Sequence, residues 1–134
     1  MQTILHYLAT LATFLVLDFI WLGFILRGFI RSQLGHLLAP QTNWPVAFLF
    51  YLIFIAGLIY FAVTPALQKD SFQTAVFNGA FFGLVTYATY ELTNKALIDR
   101  WPGAFVVVDI LWGAVLCAAV SAVSFWVGKK LLTQ

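Results

Sequence analysis

Apolar residues run through this chain in four long blocks, separated by short polar stretches. Roughly Ile4–Leu26, Pro45–Pro65, Phe72–Asn94 and Ala104–Gly128 each supply the ~20 mostly apolar residues that a membrane-crossing helix needs. Pro40, Pro45, Pro65 and Pro102 all fall at block ends, where helices start or stop. The turn PALQKDS is short, so the second and third blocks form an antiparallel hairpin. The first connection, RGFIRSQLGHLLAPQTNW, is longer. Its Phe29, Ile30, Leu34, Leu37 and Leu38 recur at helical spacing, which predicts a short amphipathic helix along the membrane interface. Trp44 and Trp101 sit beside block ends, where indoles prefer the headgroup level. The pattern therefore predicts an all-α polytopic membrane protein. It is one domain over residues 1–134, with four transmembrane helices and an interfacial helix in the first connection. The N-terminal block lacks a basic leader and a small-x-small cleavage site, so it reads as a retained helix.

Composition strengthens this picture. Of 134 residues, 63% are hydrophobic and only 9% charged, against about a quarter charged in a soluble domain. There are too few polar groups to cover a water-facing surface. The net charge is only +2 and no basic run occurs, which excludes a nucleic-acid partner. The lone Cys117 lies in LWGAVLCAAV and reads as an inert buried thiol. His6 and His36 fall on opposite sides of the membrane and cannot share a metal. Zinc spacing, a phosphate loop and G-x-S-x-G are all absent, so no metal and no cofactor are expected. Enzyme activity is left open. Basic residues do not fix orientation. Lys69, Lys129, Lys130 and the N-terminal amine lie on one side; Arg27, Arg31, Lys95 and Arg100 lie on the other. The latter is called the Arg side below.

The acidic residues carry the candidate chemistry. Asp70 and Asp99 lie in connections, while Asp18, Glu91 and Asp109 lie inside blocks. A carboxylate in the bilayer costs about 2.5–3.5 kcal/mol on insertion scales, so it faces the bundle interior or water. Asp18 is nine residues before Arg27, Asp109 nine after Arg100, and Glu91 one turn before Lys95. All three therefore lie within roughly 6–14 Å of the Arg-side bases. The polar run TYATYELTN, Thr86 to Asn94, shares that half, and the other half is nearly featureless. A polar cavity open toward the Arg side explains the asymmetry. On the third helix Tyr87, Glu91 and Asn94 form one i, i+4, i+7 stripe, with Tyr90 beside it. Gly79 and Gly83 continue near the stripe and let another backbone approach. Asp18 and Trp21 are i, i+3 neighbours, and so are Asp109 and Trp112. An indole N–H donates and a carboxylate accepts, so each pair could be mutually satisfied. The two Asp-x-x-Trp motifs are either a local pseudo-symmetric site or a coincidence. Glu91 has a plainer alternative, pairing with Lys95 at i, i+4.

The combination LDFIWLG (Leu17–Gly23), RSQLGHLLAPQTNWP (Arg31–Pro45), GLVTYATYELTN (Gly83–Asn94), Trp101-Pro102 and VDILWG (Val108–Gly113) resembles a family of short bacterial membrane proteins known only as a domain of unknown function. The resemblance covers nearly the whole chain. It implies four helices in a bacterial inner (cytoplasmic) membrane, and it supplies no activity or substrate. The third-helix acid of that family is usually aspartate. Here it is Glu91, which keeps the charge and lengthens the reach.

Three functional readings follow. The first is a protein that binds or handles a lipid or small molecule. Asp18, Glu91 and Asp109 would accept, Tyr87, Tyr90 and Asn94 would orient, and Trp21 and Trp112 would pair with the acids. The second is a small proton-coupled transporter. Size, four spans and an acid in the first span are similar to the small multidrug-resistance exporters, which work as dimers. The third is a structural subunit of a membrane complex. The partners considered are the bilayer, a lipid or small-molecule ligand, and a second copy of the chain.

Overall fold

The computed structural model describes residues 1–132. Its chain is helical, in the order α1 (Gln2–Ile20), α2 (Arg27–Leu34), α3 (Trp44–Leu58), α4 (Thr64–Gln68), α5 (Phe72–Leu97) and α6 (Gly103–Leu132). One π-helical turn, Trp21–Ile25, extends α1, and another, Ile59–Val63, joins α3 to α4. Three continuous segments are both long and apolar enough to cross a membrane: Gln2–Ile25, Trp44–Gln68 and Gly103–Leu132. α5, at 26 residues, is long enough but less apolar, because it carries the polar run 86–94. The protein is thus an all-α, multi-span membrane protein with three strongly apolar spans and further helices. Its outer surface fits lipid: Phe24, Phe77, Tyr60 and Ile53 are all largely exposed.

Local sequence explains the helix ends. Asn43 caps α3, its side chain accepting from the Val46 amide at 3.3 Å, and Pro45 sits in the first turn. Ser71 caps α5 by accepting from the Thr74 amide at 3.1 Å. Turns at both ends of α5 use left-handed residues, Asp70 (φ 48°) and Arg100 (φ 60°). The first turn is held to the end of α6 by Lys129, 2.7 Å from Asp70.

α6 is the central helix. Its most extensive neighbour is α5, and α1 packs on it from another side. The α5–α6 approach depends on glycine. A Cβ at Gly83 would strike the backbone of Gly113, and one at Gly79 would strike Ser121 and the Cys117 carbonyl. α1 and α6 run antiparallel in fixed register. His6 meets Ser124 and Asp18 meets Trp112, contacts twelve residues apart on both helices. α5 packs against α4 and the π turn before it. Toward the Arg side, a cleft opens between α3 and α5.

Two expectations need correction here. α2 ends at Leu34, so Leu37 and Leu38 fall outside it and are exposed. Phe29, Ile30 and Leu34 pack onto Trp101, Phe105, Val106 and Ile110, so the apolar face of α2 covers the start of α6. Trp101 is 6% exposed rather than standing free at the headgroup level. The left-handed turn at Arg100 folds it back beneath α2. Trp44, 59% exposed, does stand free at its helix end.

Candidate functional site

The two Asp-x-x-Trp motifs come together across α1 and α6. In antiparallel helices at this register, the Asp of one motif stands level with the Trp of the other. Trp112 Nε1 accordingly donates to Asp18 Oδ1 at 3.3 Å. The indoles of Trp21 and Trp112 stack, with centroids 4.2 Å apart and planes within 8°. The acid–indole pairing is therefore between helices, not within each helix as the i, i+3 spacing suggested. Stacking holds the indoles between the helices and turns Trp112 N–H away from its own Asp109.

The reciprocal bond is missing. Among the described residues, the buried Trp21 Nε1 has no partner. Asp109, which stands level with it, instead lines a cleft between α3, α5 and α6, close to Glu91 of α5.

Glu91 is completely buried. Its Oε2 accepts from Trp101 Nε1 at 2.7 Å, and its Oε1 has no donor among the described residues. Lys95 does not pair with it. Instead, Lys95 Nζ donates to the Trp101 carbonyl at 2.7 Å. One residue, Trp101, thus gives its indole N–H to the acid and its carbonyl to the base, and it stands where a direct Glu91–Lys95 pair would. Sequence reasoning placed Trp101 at the interface and missed this role.

Beside the Asp109–Glu91 pair lies a cleft of about 400 Å³, lined by Phe50, Phe54, Thr86, Tyr87, Tyr90 and Asp109. Phe50 lies six residues after the start of α3, Tyr90 seven before the end of α5, and Asp109 six after the start of α6. The cleft therefore sits about 10 Å below the Arg-side helix ends. Phe54 and Tyr87 meet edge to face at 82°. Thr86 sends its hydroxyl to the Phe82 carbonyl of its own helix at 2.8 Å.

Of the eight residues singled out in the sequence, Tyr87, Tyr90 and Asp109 line this cleft. Asp18, Trp21 and Trp112 form the adjoining α1–α6 contact, and Glu91 stands behind Asp109. Asn94 is half-buried, one turn beyond Tyr90. Among the described residues, no set of three or more His, Cys, Asp or Glu side chains converges as metal ligands.

The other half of the bundle is not featureless. His6, Thr10 and Ser124 are buried between α1 and α6, and Ser121 is buried against Gly79 of α5. His6 Nε2 lies 2.9 Å from both the Ser124 carbonyl and the Ser124 hydroxyl, and Thr10 Oγ1 lies 2.7 Å from Ser124 Oγ. Thr10 also donates to the His6 carbonyl at 2.8 Å. The spacing was visible, with His6 and Thr10 four apart and Ser121 and Ser124 three apart, but small hydroxyl residues barely interrupt an apolar run. The cluster fastens α1 to α6.

A helical, multi-span membrane protein with acids, indoles and phenols gathered between its helices is the class these features define. Over residues 3–126 the chain matches the family described as a predicted membrane protein, DUF2177, and it belongs to that family. No curated protein and no solved structure matches it.

Proposed function

We propose that this is a four-span protein of a bacterial inner membrane that binds a lipid or small molecule in the cleft between α3, α5 and α6. The observation that carries the proposal is a carboxyl group, Asp109, facing an aromatic cleft inside an apolar span. Buried carboxylates are costly in a bilayer and mark functional sites by default. A purely structural acid would be enclosed by donors, as Glu91 is on one side by Trp101. Asp109 instead borders open space.

α5 completes the four spans. Gly79, Gly83 and the one acid, Glu91, are buried, while Phe77, Phe81, Leu92 and Leu97 face outward. Thr89, which also faces outward, bonds the Val85 carbonyl of its own helix at 2.6 Å, a form that lipid tolerates. Such an inside-out distribution suits a helix wholly surrounded by lipid and protein.

Whole-cell lipid profiles test the functional reading. Three strains are compared: a deletion, the deletion restored with wild type, and the deletion restored with Asp109→Asn at equal expression. A lipid species that changes on deletion and returns only with wild type is the expected result. Identical profiles in all three would reject lipid handling. The transport and assembly readings would then be examined by vesicle flux and partner isolation.

A further inference from the structure

We propose that the cleft selects organic monocations, substituted ammonium groups with apolar arms, with Asp109 as counter-ion and the Phe50, Phe54, Tyr87 and Tyr90 rings as walls. This names a ligand class for the site above and rests on that reading.

Charge comes first. Asp109 is the one ionisable carboxyl among the lining residues, and no Lys or Arg joins it. Two of the Arg-side bases are engaged elsewhere. Lys95 is bonded to the Trp101 carbonyl, and Arg100 lies at the surface, 4.0 Å from Asp99. An anionic headgroup would meet only a carboxyl, so phosphate-type ligands are disfavoured.

Ring chemistry then decides the kind of cation. Four of the six lining residues are aromatic, and ring faces attract a cation that has already shed its water. Phe54 and Tyr87 stand at 82°, two walls of a corner rather than a stack. A substituted ammonium is weakly hydrated and needs few hydrogen bonds. A small metal ion would need several oxygen ligands. The cleft offers it Asp109 and two phenols, and the Thr86 hydroxyl is engaged with its own backbone. A volume of about 400 Å³ accepts a headgroup with its first few carbons.

The test uses the full chain in dodecyl maltoside and isothermal titration calorimetry. Three probes of similar shape are compared: benzyltrimethylammonium, its uncharged carbon isostere neopentylbenzene, and benzenesulfonate. The cation is expected to bind at least about tenfold more tightly than either of the others. Asp109→Asn and Phe50→Leu should each weaken it by about three- to tenfold, and both together by more; unchanged cation binding in the folded variants would overturn the proposal. Phe50 is 47% exposed, so Phe50→Leu keeps the proposal testable if Asp109→Asn fails to fold. Equal binding of the cation and its neutral isostere, both abolished by the cleft-filling Thr86→Trp, would overturn cation selectivity and leave the cleft reading standing. Failure of all three probes to bind folded wild type would overturn the cation proposal and remove support from the cleft as well.

Discussion

Replacing Trp101 with phenylalanine removes one N–H from beneath Glu91 while keeping an aromatic ring under α2. Glu91 is completely buried, and one of its oxygens already lacks a donor among the described residues. The lost bond is 2.7 Å long and reaches a carboxyl. Hydrogen bonds to charged groups are worth about 1.5–3 kcal/mol, and stranding a buried acceptor sits toward the upper part of that range. The smaller ring also loses packing against Leu34, Phe105 and Val106, about 1 kcal/mol for a partial cavity. The expected destabilisation is about 3 kcal/mol. Reversible unfolding in dodecyl maltoside–SDS mixtures, followed by circular dichroism, measures it. Trp44→Phe is the control, since Trp44 is 59% exposed and the substitution should change stability by no more than about 0.5 kcal/mol. Glu91→Gln should cost less than Trp101→Phe, because an amide oxygen still accepts from the indole. If Trp101→Phe unfolds with Trp44→Phe, Trp101 does not hold the buried acid and the reasoning fails.

Other substitutions probe the remaining contacts. Trp112→Phe loses its bond to Asp18 and should cost about 1–2 kcal/mol, whereas Trp21→Phe, whose N–H has no partner among the described residues, should be near neutral; equal costs would refute the asymmetric pairing. Gly83→Ala drives a methyl into the Gly113 backbone and should destabilise by about 1–3 kcal/mol, while Gly28→Ala, with open space around it, should be neutral or stabilising. The same unfolding assay reads both sets. Ser124→Ala should cost about 1–2 kcal/mol through His6 and Thr10, and Ser121→Ala, which removes a hydroxyl without a partner among the described residues, should cost nothing; the reverse order would contradict the His6 cluster. For the four-span topology, single cysteines at Gln68 and Asp99 should label from opposite sides of sealed vesicles in a Cys117→Ser background, and labelling from one side would exclude α5 as a span.

Much of the helical architecture is written in the hydropathy pattern, because a bilayer demands long uninterrupted apolar runs. The gathering of polar groups near Asp18 and Asp109 could also be approached from sequence. Depth follows from counting residues to the nearest bases, and two Asp-x-x-Trp motifs on antiparallel helices put each acid level with the other's indole. Which bonds form could not be read this way. Trp101 reaches Glu91 only because Arg100 adopts a left-handed turn, and nothing local in DRWP encodes that. The π turns at Trp21–Ile25 and Ile59–Val63 were equally hidden, since one extra residue per turn leaves no mark in hydropathy. His6 and Ser124 lie 118 residues apart, so their contact needed the α1–α6 register first.

Native mass spectrometry of the gently purified protein tests the central claim most directly. Wild type should retain a discrete non-protein mass, and Thr86→Trp, folded but with the cleft filled, should lose it. Wild type flying bare, or Thr86→Trp keeping the same mass, would contradict a ligand site between α3, α5 and α6.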